Sequence, residues 1–495
     1  MSRASYTRIK DFLLLLATTV LAVLVQGYHP GIEDDAYYLA AIQKDLDPGL
    51  FPHDADFFQL QFQATIFDKL IAWSVRLTHL PLAWAVFLWH CAAIFLILLL
   101  CRKIAAKCFA EPHAVWAAVA LVAALLTIPV SGTGLSLVDQ YLHPRALATA
   151  AILAAIAAVM ERRTTVAAAW LAAAAALHIL MAAFGAMLCV FLGWNHVVRK
   201  RHVEAPRHAT AAALLLPMGW IFDPASDAWR QAAATRTFYF VWRWHWYEWL
   251  GVVAPLLLLW WFHRIARRDG SAAMARLASR LAWFGLFQTI GGVAILTPPS
   301  LERLRPLEPM RYLHLIYLLM FLLAGGLIGK YVLGKHAYRW ALFFLPLCVG
   351  MGYAQRQMYP ATEHLELPGT APRNAWVRTF RWIRLNTPPQ SLFALDPDYM
   401  ELPGEDFHGF RPLALRSVLA DNVKDPGMVA RVPHLADRWL AETRAQNNWK
   451  NFRAADFARL RKQFGVEWVV LDGADVAGLD CPYRDNQLSV CRVGR

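Results

Sequence analysis

The sequence predicts a polytopic α-helical membrane protein, with about eleven transmembrane helices and a C-terminal extracytoplasmic α/β domain. Three observations carry this expectation. Apolar residues gather in blocks long enough to cross a hydrocarbon core of roughly 30 Å, in a chain that is 58% hydrophobic with 21 tryptophans. Lysine and arginine recur in the alternate short loops between those blocks, which is a topology signal. From about residue 360 the long blocks give way to short helix-like and strand-like runs.

Taken in order, spans are expected near 12–27, 81–101, 114–130, 145–160, 165–178, 180–195, 209–222, 248–263, 281–297, 312–334 and 340–357. The first follows Arg3, Arg8 and Lys10, and no small-x-small cleavage site succeeds it, so it reads as an uncleaved span rather than a signal peptide. Residues 167–191 are long enough for one tilted helix, but loop charge favours two. With the N-terminus inside, the inner loops hold Arg102, Lys103 and Lys107, then Arg162 and Arg163, Arg199 to Arg201, Arg264, Arg267 and Arg268, and finally Lys330, Lys335 and Arg339. An odd count then separates a transmembrane module, 1–359, from an outer domain, 360–495.

Two outer regions are large. Loop 28–80 holds eight carboxylates against three Lys or Arg, and its amphipathic stretches Ala36 to Leu46 and Phe57 to Leu77 read as helices lying on the membrane surface. In the tail, helix-like Trp376 to Leu385 precedes strand-like Ser391 to Leu395, and Ala455 to Phe464 precedes Val466 to Leu471. Cys481 and Cys491 flank a turn-rich Arg484-Asp485-Asn486, so a hairpin would bring the two thiols together for a disulfide. Four other cysteines, Cys91, Cys101, Cys189 and Cys348, sit inside apolar blocks without metal-type spacing. The net charge of +13 is dispersed among loops, which excludes a nucleic-acid face. No Walker, dinucleotide-binding, HExxH or GxSxG motif is present.

The sharpest chemical feature is Glu33-Asp34-Asp35-Ala36-Tyr37-Tyr38, just beyond the first span. Clustered carboxylates repel one another, and beside a low-dielectric membrane some acquire raised pKa values. Such a cluster serves as a general base toward a hydroxyl, as hard oxygen ligands for a divalent metal, or as a cap for the helix beginning near Ala36. His53, Asp54 and Asp56 open the next surface helix with the same alternatives of capping, metal binding or acceptor binding. On the same side lie basic residues: Arg145 in Tyr141-Leu142-His143-Pro144-Arg145, Arg230, Arg236, Arg243, and Arg303, Arg305 and Arg311. Guanidinium forks suit phosphate oxygens, although arginines at span ends also snorkel to headgroups. His178 falls inside an alanine-rich span, where it needs a hydrogen-bonding partner.

These residues resemble the GT-C superfamily of membrane glycosyltransferases, in particular its bacterial polyprenyl-phosphate-sugar dependent members. The resemblance is carried by Tyr28 to Tyr38 with its three acids, the surface helices of the first outer loop, the odd span count with an outer C-terminal domain, and the segments Tyr141 to Arg145 and Glu308-Pro309-Met310-Arg311-Tyr312. It implies transfer of a sugar, with inversion, from a lipid-phosphate-linked donor to an envelope glycan, lipid or protein acceptor. The setting it implies is the periplasmic face of a bacterial inner membrane. Asp34 or Asp35 is then the base, with Glu33 beside them, and Tyr37, Tyr38, His53, Asp54, Asp56, His143, Arg145, Arg303 and Arg311 the substrate-binding candidates. Two rival classes remain: a transporter or flippase for a lipid-linked or anionic solute, and a scaffold whose outer domain binds an envelope partner.

Overall fold

The computed structural model describes residues 3–59, 63–200, 224–473 and 476–494. Helix α1 (Arg3–Gln26) enters the acidic outer loop, which carries α2 (Asp35–Leu46), the single turn α3 (Asp56–Gln59) and α4 (Phe67–Thr78). A bundle follows: α5 (Leu82–Cys108), α6 (Pro112–Ala124), α7 (Pro144–Met160), α8 (Thr164–Leu177) and α9 (Ile179–Lys200). A two-stranded hairpin, β1 (Pro129–Val130) with β2 (Leu135–Ser136), lies between α6 and α7. After α10 (Asp227–Ala234), the bundle continues with α11 (Trp246–Arg268), α12 (Ala272–Leu296), α13 (Leu313–Ile328) and α14 (Ala337–Met358).

Among the described residues, five helical segments are long and apolar enough to cross a membrane: Arg8–Gln26, Leu82–Cys108, Trp246–Arg268, Ala272–Leu296 and Pro309–Leu333. Segments of that length and composition define an integral membrane protein. Four shorter apolar helices pack among them. Helix α7 is buried all round from Pro144 to Ala158, as expected of a helix at the centre of a bundle. The eleven expected crossings are not reproduced as a count. The expected span at 209–222 lies outside the described residues. The expected fifth and sixth spans are separated by one non-helical residue, His178, at φ −159°. Beyond that residue α9 packs back along α7, with Gly185 against Ile152 in the middle of that helix, so α8 and α9 are two separate helices. The surface stretch Phe57 to Leu77 also divides, because Thr65 and Ile66, just before α4, are non-helical.

The C-terminal region contains α15 (Ala375–Asn386), β3 (Leu392–Ala394), α16 (Phe410–Ala414), β4 (Ser417–Val418), α17 (Asp425–Arg431), α18 (Ala436–Ala445), α19 (Ala454–Phe464), β5 (Trp468–Asp472), β6 (Asp480–Arg484) and β7 (Leu488–Arg492). Its five strands run in the order β4-β3-β5-β7-β6, parallel through β4, β3 and β5 and antiparallel thereafter. Alternation along the strands builds two cores. Phe393, Trp468, Val470 and Val490 pack with Phe380 and Phe410 on one face. Ala394, Val469, Leu471 and Cys491 pack with Phe457 and Leu460 on the other. The β6–β7 hairpin carries the Cys481–Cys491 disulfide.

The outer loop is clamped onto this domain. Ile32 bridges His408 and Tyr28 bridges Leu365, while Gly409 N–H donates to the Gly31 carbonyl at 2.7 Å. A third cluster joins Phe57, Trp229, Met428 and Trp439 from three separated segments. The acidic motif therefore sits between the bundle and the C-terminal domain.

Candidate functional site

Helix α2 begins immediately after the acidic motif, and the structure gives its three acids different surroundings. Asp35 is 1% exposed, and its Oδ2 accepts the Gly31 N–H at 2.6 Å. Gly31 holds φ +82°, a conformation that costs a side-chain-bearing residue and costs glycine nothing. Burial pushes the Asp35 carboxyl up to about 7; the Gly31 bond opposes the rise, and Asp139 and Asp34 add to it. Glu33, itself at φ +50°, is ion-paired to Lys424 of the C-terminal domain. Asp34 occupies the N-cap position of α2, yet its carboxylate makes no capping bond. It is 39% exposed, with Lys424 Nζ at 3.4 Å. Burial would raise its pKa, but Lys424, His143, Arg236 and Arg311 together hold it well below the usual carboxylate range.

Cations converge on this carboxylate from four parts of the chain. Pro144 starts α7 in the first-turn position that tolerates its missing N–H. His143 caps that helix, its Nδ1 accepting the Arg145 N–H at 2.9 Å. Arg145 Nη2 donates to both Asp139 carboxylate oxygens, at 2.6 and 2.7 Å, while its Nη1 is buried without a hydrogen-bond partner. Arg311 lies 2.5 Å from Glu308, and Arg431 shares the same Glu308 at 3.4 Å. Arg236 donates to the Lys424 carbonyl at 2.6 Å, which fixes the backbone carrying the lysine. Five cations, Arg145, Arg236, Arg311, Lys424 and Arg431, thus face the carboxylates Glu33, Asp34, Asp139 and Glu308, beside Asp35 with its ionisation disfavoured by burial. Such a gathering of cations attracts an anion.

Beside them opens a cleft of about 700 Å³ lined by Tyr38, His178, Arg303, Arg311 and Arg431 and by the apolar Leu177, Ile179 and Leu180. The Tyr38 ring stands 4.6 Å from that of His143, which stacks 6.3 Å from His178. His178, the non-helical residue between α8 and α9, lines this cleft. Charged groups at one end and apolar helix surface along the wall make a site for an amphiphilic anion.

The structure brings together Asp34, Glu33, Tyr38, His143, Arg145 and Arg311, with Arg303 at the cleft wall donating to the Pro224 carbonyl at 3.1 Å. It takes the remaining candidates elsewhere. Tyr37 is buried toward Asp421, Asp425 and Arg411. Asp54 accepts Arg411 Nε at 2.6 Å and Val418 N–H at 3.1 Å, with no exposed side-chain surface. His53 lies against the Gln390 carbonyl at 3.2 Å, and Asp56 is exposed 3.8 Å from Arg438. Asp54 and His53 hold the loop to the C-terminal domain. Sequence reasoning missed Lys424, Arg431 and Asp139. Asp139 stands two residues before the Tyr141 to Arg145 segment and was open to detection there; nothing local marks Lys424 or Arg431. Among the described residues no group of three or more His, Cys, Asp or Glu side chains could hold a metal ion. The Lys424 ammonium occupies the place between Glu33 and Asp34 that a shared divalent ion would need, so the donor set does not fit one.

No family model matches the sequence, and no curated protein matches it. Among solved structures, the chain is similar to the Archaeoglobus fulgidus oligosaccharyltransferase tethered with an acceptor peptide, at 11% identity and a TM-score of 0.45, over 94% of this chain and 70% of that one.

Proposed function

We propose that the protein is a membrane glycosyltransferase, taking a sugar from a polyprenyl-phosphate-linked donor and passing it to an envelope glycan, lipid or protein acceptor on the outer side of a bacterial inner membrane. The observation that carries this reading is the Asp34 carboxylate, free of capping, open on one side and surrounded by cations beside a cleft with an apolar wall. The donor phosphate lies among Arg311, Arg431 and Arg145, with the isoprenoid along α8 and α9. The acceptor oxygen attacks the anomeric carbon as the carbon–oxygen bond to phosphate breaks. The bonding pair leaves on the phosphate, where guanidinium groups stabilise it, and the hydroxyl proton passes to Asp34. Attack opposite the leaving group inverts the anomeric centre.

Against burial, the pKa of Asp34 is held down by Lys424, His143, Arg236 and Arg311. A bound phosphate draws on the same cations, weakens their hold on Asp34 and raises its basicity at the step that needs a base. Lys424 serves as the fixed positive charge between Glu33 and Asp34, and the reaction then requires no divalent metal. The test is single-turnover transfer from a polyprenyl-phosphate sugar in proteoliposomes. Asp34→Asn is expected to remain folded and lose transfer; a folded Asp34→Asn protein that transfers at the wild-type rate overturns the reading.

A further inference from the structure

A second recess lies on a different flank of α2. Leu39 and Gln43 line it, whereas Tyr38 lines the cleft described above. At about 100° per residue these positions point to different sides of the helix. The recess is about 630 Å³ and includes Tyr28, Leu82 and Val86, so it stands at the end of α5 nearest the C-terminal domain. Below it, between α1 and α5, runs a groove of about 440 Å³ walled by Leu16, Val20, Phe87, Cys91 and Phe95. Leu367 lines both, and the Tyr28 and Phe87 rings meet at their junction, 5.0 Å apart. The two volumes adjoin at Leu367, one at the end of α5 and the other along the side of two membrane-crossing helices.

The upper recess is basic. Arg381 and Arg384, one turn apart on α15, line it, are exposed, and have no carboxylate at ion-pair distance among the described residues. Its two acids are engaged elsewhere: Glu363 lies 3.4 Å from Arg373, and Glu366 pairs with His29 at 2.8 Å and His408 at 3.5 Å. Beside the arginines, Leu385 is 72% exposed on the same helix. A dry groove cut into membrane-crossing helices is filled by a hydrocarbon chain, because water there finds no polar partners. Two unpaired guanidinium groups at its head select a chain that carries an anionic phosphate.

We infer that this flank is a binding site for an anionic phospholipid of the surrounding bilayer, with one acyl chain in the α1–α5 groove and its phosphate on Arg381 and Arg384. The site does not depend on the transfer chemistry of Asp34. The test uses the full-length protein in nanodiscs containing phosphatidylglycerol with a photoreactive acyl chain, the label being mapped to peptides of α1 and α5. Phosphatidylcholine with the same chain is the control. Phosphatidylglycerol is expected to label the groove roughly tenfold more than phosphatidylcholine, and Arg381→Glu with Arg384→Glu to abolish that preference. Ala92→Trp, which fills the groove and leaves the arginines untouched, is expected to suppress labelling by both lipids. Equal labelling by the two lipids, or a preference that survives the double charge reversal, overturns the inference. So does displacement of the label by inorganic phosphate, which would assign the arginines to a free anion.

Discussion

Asp34 and Asp54 stand in the same outer loop, each inside a short acidic run that opens a surface helix, and the fold uses them in opposite ways. Asp54 is enclosed, with Arg411 Nε at 2.6 Å and a backbone N–H at 3.1 Å, and the same Arg411 forks onto Asp425 at 2.9 Å. Asp54 Oδ2 and both Asp425 oxygens are held in this network, while Asp54 Oδ1 is buried without a hydrogen-bond partner. Asp34 has one lysine at 3.4 Å, no capping bond and an open side. A buried carboxylate locked onto its own arginine holds structure together, whereas a partly exposed carboxylate among cations is available for a ligand.

The comparison is broken most sharply by removing one charge from each site. Asp34→Asn is expected to lower transfer by about three orders of magnitude, the scale of a general base, with the melting temperature unchanged. Arg411→Ala should do the reverse in kind. It leaves Asp54 and Asp425 buried without a cation and costs about 3–5 kcal/mol, seen as protease cleavage around residues 360–375 and early melting of the C-terminal domain. A thermally unaffected Arg411→Ala protein would remove the structural half of the contrast.

Lys424→Met sharpens it from the other side. Without the ammonium, Glu33 and Asp34 repel each other and the Asp34 carboxyl rises from its depressed position. Transfer should fall by roughly 10- to 100-fold, with the acid limb of its pH profile displaced upward. Lys424→Arg should restore most of the rate and return the limb. A pH profile that does not move would mean that Lys424 acts on folding alone.

A smaller effect concerns the seam between loop and domain. His408 is fully buried; burial lowers its pKa, but Glu366 and Glu405 outweigh that and push it up to about 10, against an ordinary value of 6.5. A cation with a raised folded pKa gives stability that is complete below about 6.5 and is lost as pH climbs toward 10. Between pH 7.5 and 9 the docked state should lose on the order of 2 kcal/mol, measurable by denaturant midpoints, and His408→Gln should flatten that slope.

How much of this was legible in the sequence follows from what each feature depends on. Apolar blocks announce helices locally, and ten of the eleven expected spans fall on helices, the other lying outside the described residues. The sheet announced itself through short runs such as Val466 to Leu471, and the hairpin through Cys481 and Cys491. The division of the site did not. Lys424 meets Asp34 across 390 positions and Arg431 meets Glu308 across 123, and no local pattern encodes such pairs. Glu33, Asp34 and Asp35 are adjacent in sequence and chemically alike, so their roles are set only by what the fold brings against each.

Asp35→Asn is the mildest change and the most discriminating. The sequence leaves Asp34 and Asp35 as equal candidates for the base, but Asp35 is buried and committed to the Gly31 N–H at 2.6 Å. Asparagine keeps a carbonyl oxygen that accepts the same bond, so α2 should start where it does and transfer should stay within about threefold of wild type, far from the loss expected of a general base. The pH dependence has a definite sign. An acid whose carboxyl is pushed up to about 7 is penalised for ionising in the folded state, and the penalty grows as pH rises from about 4 to about 7. The stability of Asp35→Asn relative to wild type should therefore improve over that range and level off above it. Loss of transfer in a well-folded Asp35→Asn protein, with Asp34→Asn active, would exchange the roles assigned to the two aspartates.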